Sequence, residues 1–109
     1  MSKLVKLVVF VPEIHTDIVR EAMGKAGAGV IGNYDFCSFS TKGVGRFKPL
    51  EGAKPTIGEV GKFESVNEER IETVCLREKV KEVIKAIKEV HPYDEVAFDI
   101  YPLLSEEEL

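Results

Sequence analysis

The sequence predicts an α+β domain built in the order βαββαβ, with one four-stranded sheet and two helices on one of its faces. Three observations carry that expectation. Residues 4–11, 33–41, 67–76 and 95–101 have the continuous or alternating apolar pattern of strands. The stretches 13–26 and 76–91 have the apolar spacing of amphipathic helices, each between two strands. The chain has 109 residues, room for one domain over residues 1–109 and one core.

Strand one, residues 4–11, is apolar on both alternating faces except at Lys6, as expected of a strand central in its sheet. It does not read as a signal peptide: Lys6 interrupts it, and Pro12-Glu13 stand where a small-residue cleavage site belongs. No apolar run reaches the ~18 residues of a membrane span, so no membrane partner and a cytoplasmic location are expected. In helix one, Ile14, Ile18, Val19, Ala22 and Met23 mark one face, and Glu13 and Asp17 complement the dipole of its first turn. Gly24, Gly27 and Gly29 supply its stop.

Strand two, residues 33–41, alternates Tyr34, Phe36, Ser38 and Ser40 with Asp35, Cys37 and Phe39. Residues 42–64 then carry Gly43, Gly45, Pro49, Gly52, Pro55, Gly58 and Gly61. That is too long for a hairpin turn, and pairing of 46–48 with 62–66 is expected to extend the hairpin. Strand three, residues 67–76, sets Glu69, Ile71, Thr73 and Cys75 against Glu68, Arg70, Glu72 and Val74. In helix two, Leu76, Val80, Val83, Ile84 and Ile87 form the buried stripe, and Lys81, Lys85, Lys88, Glu78, Glu82 and Glu89 a solvated face. Pro92 stops this helix. Strand four, residues 95–101, alternates Val96, Phe98 and Ile100 with Ala97, Asp99 and Tyr101. Residues 105–109 are expected to fray.

This order is the ferredoxin-like split βαβ arrangement, read here as one mixed sheet. Right-handed crossovers place strands one and three in its middle. No helix remains for the second face, and a half-apolar open face points to self-association.

Composition narrows the partners. With 15 Lys+Arg against 19 Asp+Glu, the net charge is -4, which argues against nucleic acid. Gln and Trp are absent and Lys and Glu dominate the charges, a thermophile-like balance. Cys37 and Cys75 have no metal-finger or CxxC spacing and read as small hydrophobes in a reducing compartment.

Gly27-Ala28-Gly29-Val30-Ile31-Gly32 matches G-x-G-x-x-G literally, but it follows a helix and leads into a strand. The dinucleotide mechanism needs the reverse order. Gly43-Val44-Gly45, flanked by Lys42, Arg46 and Lys48, reads as a mobile hairpin tip, with an anion cradle as the alternative. His15, at the start of helix one, is expected neutral and exposed. His91 ends helix two, where a cation is favoured, and Pro92-Tyr93-Asp94-Glu95 follow. We read it as a structural corner; the alternative is a divalent-metal site of His91, Asp94 and Glu95 with Glu68 from a neighbouring subunit. Glu68, Arg70 and Glu72 alternate on one strand face and are expected to form a cross-strand ion-pair ladder, the alternative being an interface or pocket lining in an oligomer. No Ser/His/Asp or Cys/His arrangement supports catalysis.

Several blocks then resemble a known module. They are Gly27-Ala28-Gly29, Gly32-Asn33-Tyr34, Cys37-Ser38-Phe39, Gly43-Val44-Gly45-Arg46-Phe47, Glu69-Arg70-Ile71-Glu72 and the run from His91-Pro92-Tyr93-Asp94-Glu95 to Leu103. In this order they resemble the insert domain of the Nif-three-like (YqfO/YbgI) proteins over nearly the whole chain. Asp94 stands where that family usually carries Glu. In those larger proteins, the resemblance implies, the module interrupts a domain that holds a dinuclear metal site. None of that domain lies in these residues, so neither its site nor an attached hydrolase activity carries over. The resemblance implies a free-standing version of the insert, with a fold similar to the PII and CutA proteins, usually trimeric and with sites between subunits.

Three expectations follow. The first is a non-enzymatic, oligomeric binding or regulatory module, most simply a trimer. It would hold a small anion or metabolite between subunits, near Tyr34, Arg46 and the Gly43–Gly61 excursion, with Phe47, Glu64 and Arg70 as further ligand residues. The second is a CutA-like divalent-metal protein using the His91 set, the one cofactor the residues could support. The third and weakest is a small hydrolase.

Overall fold

The computed structural model describes residues 3–109. Six elements follow in the expected order: β1 (Leu4–Pro12), α1 (Thr16–Lys25), β2 (Phe39–Phe47), β3 (Glu64–Leu76), α2 (Val80–Val90) and β4 (Phe98–Pro102). Short 3-10 turns at Glu13–His15 and Arg77–Lys79 lead into the two helices. The sheet order is β2-β3-β1-β4, so strands one and three are central as expected. The sheet is not mixed. All three pairings are antiparallel, because each crossover skips a strand and the skipped place is filled by a strand of opposite direction.

The odd residues of β1, Val5, Leu7, Val9 and Val11, face the helices and are buried with Ile71 and Cys75 of β3. From α1 come Val19 and Met23, and from α2 Val80, Val83 and Ile87. Ile84 only packs against this cluster from its edge. In α1 the buried positions are Thr16, Val19 and Met23, while Ile14 and Ile18 are exposed. Ile14 belongs to the preceding 3-10 turn, where the 3.6-residue spacing does not hold. The end of α1 is a Schellman closure: Gly27 N–H donates to the Gly24 carbonyl and Ala28 N–H to that of Met23, with Gly27 at φ 108°. The literal G-x-G-x-x-G therefore serves as a helix stop and loop.

Strand two is displaced from its expected place. Residues 33–38 form a loop, and β2 begins at Phe39. Gly29 N–H donates to the Val74 carbonyl, Cys37 N–H to that of Gly29, and the Thr73 hydroxyl to that of Cys37. This loop is thus pinned beside β3 rather than laddered to it. Gly43 and Gly45 lie within β2, paired with Glu68 and Val66, so they are not a hairpin tip. The pairing runs on to Arg46–Ser65 and Phe47–Glu64, the expected hairpin extension. It stretches the molecule to 48 Å in its longest dimension.

β4 starts at Phe98, three residues later than expected, and Asp94 and Glu95 lie in the connection before it. The expected fraying of 105–109 overlaps a 3-10 turn at Glu106–Glu108, where the Ser105 hydroxyl and backbone N–H both donate to Glu108. Cys75 is buried and burial pushes its thiol up, while Cys37 is half-buried. Among the described residues, no helix is long and apolar enough to cross a membrane.

Candidate functional site

A cleft lies over the sheet's second face, where the long hairpin meets the corner after α2. The even residues of β1 and β3 point to this face, with Val8 beside Glu72 and Phe10 beside Arg70. Arg70 Nε donates to Glu72 at 2.9 Å, and Lys6 lies 3.9 Å from the same carboxylate. The pair across strands is Lys6 with Glu72, whereas Arg70 meets Glu72 along its own strand rather than in a cross-strand ladder. Arg70 also stands over the Phe10 ring, 5.7 Å from its centroid.

Glu68 joins neither pair. It is 8% exposed, and its Oε2 accepts the Tyr93 hydroxyl at 2.9 Å. Gly45 makes room for it: a Cβ there would overlap the Glu68 carboxylate. Tyr93 is held in turn by His91. The Tyr93 N–H donates to His91 Nδ1 at 3.1 Å, and His91 Nε2 lies 2.8 Å from the Phe10 carbonyl. An Nδ1 that accepts and an Nε2 that donates describe one neutral tautomer. Burial lowers the His91 pKa in agreement with that state. Burial and the Glu68 carboxylate hold the Tyr93 phenol above its ordinary value. A chain of contacts thus runs from β1 through His91 and Tyr93 to Glu68.

The excursion between β2 and β3 closes over this chain. Gly61 N–H donates to the Pro49 carbonyl at the base of the loop. The Lys54 N–H donates to Asp94 at 3.1 Å, and the Thr56 hydroxyl to the Pro92 carbonyl at 2.6 Å. The loop is clasped onto the corner, and a cleft of about 440 Å³ lies beneath it. Phe10 and Glu68 line it from the sheet, Phe47 and Tyr93 from one end, and Pro55 and Ile57 from the loop. The Phe47 and Tyr93 rings meet edge to face at 6.0 Å. Arg46, Lys48, Asp94 and Glu95 also line the cleft. Its volume falls within the ~300–1,000 Å³ of small-molecule sites.

Of the residues singled out for a ligand, Arg46 and Phe47 reach this cleft. Arg70 borders a smaller cleft of about 280 Å³ that shares Phe10, Gly45 and Glu68 with it. Glu64 lies under the loop beside Gly58, and Tyr34 is exposed on the loop after α1, lining neither cleft. Of those singled out for metal, Glu68, Asp94 and Glu95 share the cleft, but both His91 nitrogens are engaged within the chain. Among the described residues, no three His, Cys, Asp or Glu side chains gather as a metal site. Sequence reasoning took Tyr93 only as a packing residue, and it pointed to the 43–61 excursion as a whole without singling out Pro55, Thr56 and Ile57. Their one signal was the length of the glycine- and proline-rich excursion, since long loops in compact domains are commonly functional.

No family model matches the chain. The chain is 54% identical over 107 residues to the GTP cyclohydrolase 1 type 2 homolog of Halalkalibacterium halodurans, covering 98% of itself and 29% of that protein. It is 56% identical over 100 residues to the Bacillus subtilis protein of the same name, covering 92% of itself and 27% of the relative. The chain therefore spans just over a quarter of the length of the curated relatives it matches. Among solved structures, a Bacillus cereus protein related to NIF3 superposes at a TM-score of 0.83 with 48% identity, over 95% of this chain and 26% of that one. The periplasmic divalent cation tolerance protein CutA of Archaeoglobus fulgidus gives a TM-score of 0.70 at 17% identity, over 95% and 89% of the two chains. Arabidopsis thaliana PII bound to citrate gives 0.61 at 20% identity, over 94% and 77%. At such identities the last two show the fold alone.

Proposed function

The chain is a domain of the Nif-three-like kind with the PII/CutA-like fold, and from that premise we propose a non-enzymatic, oligomeric module that binds a small metabolite in the loop-covered cleft. The observation that carries this reading is the cleft: about 440 Å³, mostly apolar walls, and a few polar groups converging from the sheet, the hairpin and the corner. Arg46 and Lys48 line it and can attract an anion, alongside the carboxylates of Glu68, Asp94 and Glu95. A homo-oligomer, in its simplest form a trimer, draws support from the sheet face left without a helix, where Phe39 and Tyr101 are exposed.

A thermal-shift screen tests the reading with nucleosides, nucleotides, phosphorylated metabolites and divalent cations. GTP belongs among the first probes because the curated relatives are described as homologues of a GTP cyclohydrolase. A compound at a hundred times its dissociation constant stabilises by about 2.7 kcal/mol, a clear shift. That shift is expected to vanish in Ala53→Trp, which fills the cleft from the exposed loop. Hits that survive the substitution, or no hits at all, would overturn the reading.

A further inference from the structure

The cleft is lined by charges of both signs that do not neutralise one another. Glu68 is 8% exposed, and the hydrogen bond from Tyr93 to Oε2 is the one its side chain makes among the described residues. A carboxylate offers about four acceptor positions, so Oε1 keeps its capacity, and both clefts open onto this residue. A buried charge without a counter-charge is costly, yet the fold keeps its place: Gly45 lacks the Cβ that would overlap it, and His91 positions Tyr93. Arg46 lines the same cleft and forms no ion pair among the described residues. Lys48 lies next to it in the lining, with its ammonium 5.2 Å from the Phe63 ring centroid. Asp94 and Glu95 add two carboxylates from the corner after α2.

We propose that the cleft takes a small zwitterion, a free α-amino acid with a large apolar side chain, its ammonium group held by Glu68 and its carboxylate by Arg46. This rests on the cleft being the ligand site. A ligand of one charge meets repulsion in either case: an anion faces Glu68, Asp94 and Glu95, and a cation faces Arg46 and Lys48. A molecule that carries both charges gives each side its counter-charge. The strand register supports the spacing. Arg46 pairs with Ser65, roughly 10 Å of strand from Glu68, a gap for two side chains and a short ligand between them. The floor suits an ammonium group for two further reasons. The Tyr93 hydroxyl donates to Glu68 and so keeps its lone pairs for an incoming N–H. Phe10, Phe47 and Tyr93 line the space beside the carboxylate, and aromatic rings attract a cation. Pro55, Ile57 and Ala97 complete an apolar wall for the side chain.

L-Phenylalanine and L-leucine, with the N-acetyl derivative and the amide of each, join the thermal-shift panel and are titrated calorimetrically into the 109-residue chain. A free amino acid is expected to bind at least about tenfold tighter than either of its capped forms, because each cap removes one charge-assisted contact. Arg46→Gln, at an exposed position, is expected to bring the amino acid down to the level of its amide. Glu68→Gln is expected to bring it down to the level of the N-acetyl form while circular dichroism stays unchanged. Should that variant not fold, Gly45→Ala replaces it, since it displaces the carboxylate without removing it. Equal binding of free and capped forms, absence of binding by both amino acids, or a preference that survives in either variant overturns the inference. If another compound of the panel binds in an Ala53→Trp-sensitive way while the amino acids do not, the zwitterion falls and the cleft remains the ligand site. If no compound binds, both fall.

Discussion

His91 links a buried hydrogen-bond chain to pH. Burial is the main cause of its lowered pKa, and His15 adds to the lowering; the Phe10 carbonyl and Glu68 oppose it. The folded value therefore lies below the ordinary 6.5 of the unfolded chain. As pH falls the unfolded chain takes up the proton first, so the contribution to stability is full above that value and is lost as pH falls through the folded one. Thermal melts between pH about 7.5 and about 5.5 should show a declining midpoint, and His91→Gln, which cannot titrate, should show a shallower decline. Equal slopes would mean that His91 does not carry the effect. Gly45 and Gly43 offer a second contrast within one strand. A Cβ at Gly45 displaces Glu68 from Tyr93, and Gly45→Ala should cost about 1 kcal/mol in urea melts, the net worth of that hydrogen bond. Nothing lies within 4 Å of a Cβ at Gly43, whose φ is not positive. There alanine should be neutral, or stabilise by up to about 1 kcal/mol through the unfolded chain.

Helix α2 is the element that seals the core. Val83 and Ile87 are fully buried against β1 and β3, while Ile84 sits at the margin of the cluster. Truncating Ile87 to alanine removes packed methylenes and leaves a cavity, at a cost of about 2–5 kcal/mol. Ile84→Ala should cost clearly less, because part of that side chain already meets water. Chemical denaturation of the two variants checks the order, and an equal loss would mean that the helix is rotated from the position described. The long hairpin works differently. Its two strands are held by the ladder between them, and its loop by the clasp of Lys54 and Thr56 onto the corner.

For the whole molecule, the sheet's second face decides the assembly. Val8 is buried there, flanked by the ion pairs of Lys6, Arg70 and Glu72, while Phe39 and Tyr101 stay exposed. Such a face, with polar groups already paired and aromatic groups at its margins, suits association between copies of one chain. Light scattering coupled to size exclusion is expected to give three times the 12.1 kDa of one chain. A dimer mass would defeat only the number, whereas a mass near one chain at micromolar concentration would defeat the oligomer.

Periodicity placed β1 and α2, because the apolar spacing of these segments matches the faces they bury, and it placed α1 although Ile14 and Ile18 fall outside its buried face. It failed at residues 33–38, where Tyr34 and Phe36 alternate like a strand. The tight backbone approach of Gly29 to Cys37 and the positive φ of Phe36 make that stretch a loop instead. It also took Gly43 and Gly45 for a turn, since a strand glycine and a turn glycine look alike until the partner strand is known. The cleft was least legible. Phe10, Gly45, Glu68, Ile57 and Tyr93 come from distant parts of the chain. They meet because backbone and side-chain hydrogen bonds fold the excursion back onto the corner after α2. Local sequence reports the environment of a residue's neighbours along the chain, and a site assembled from such separated pieces exists only once the long-range pairing is made.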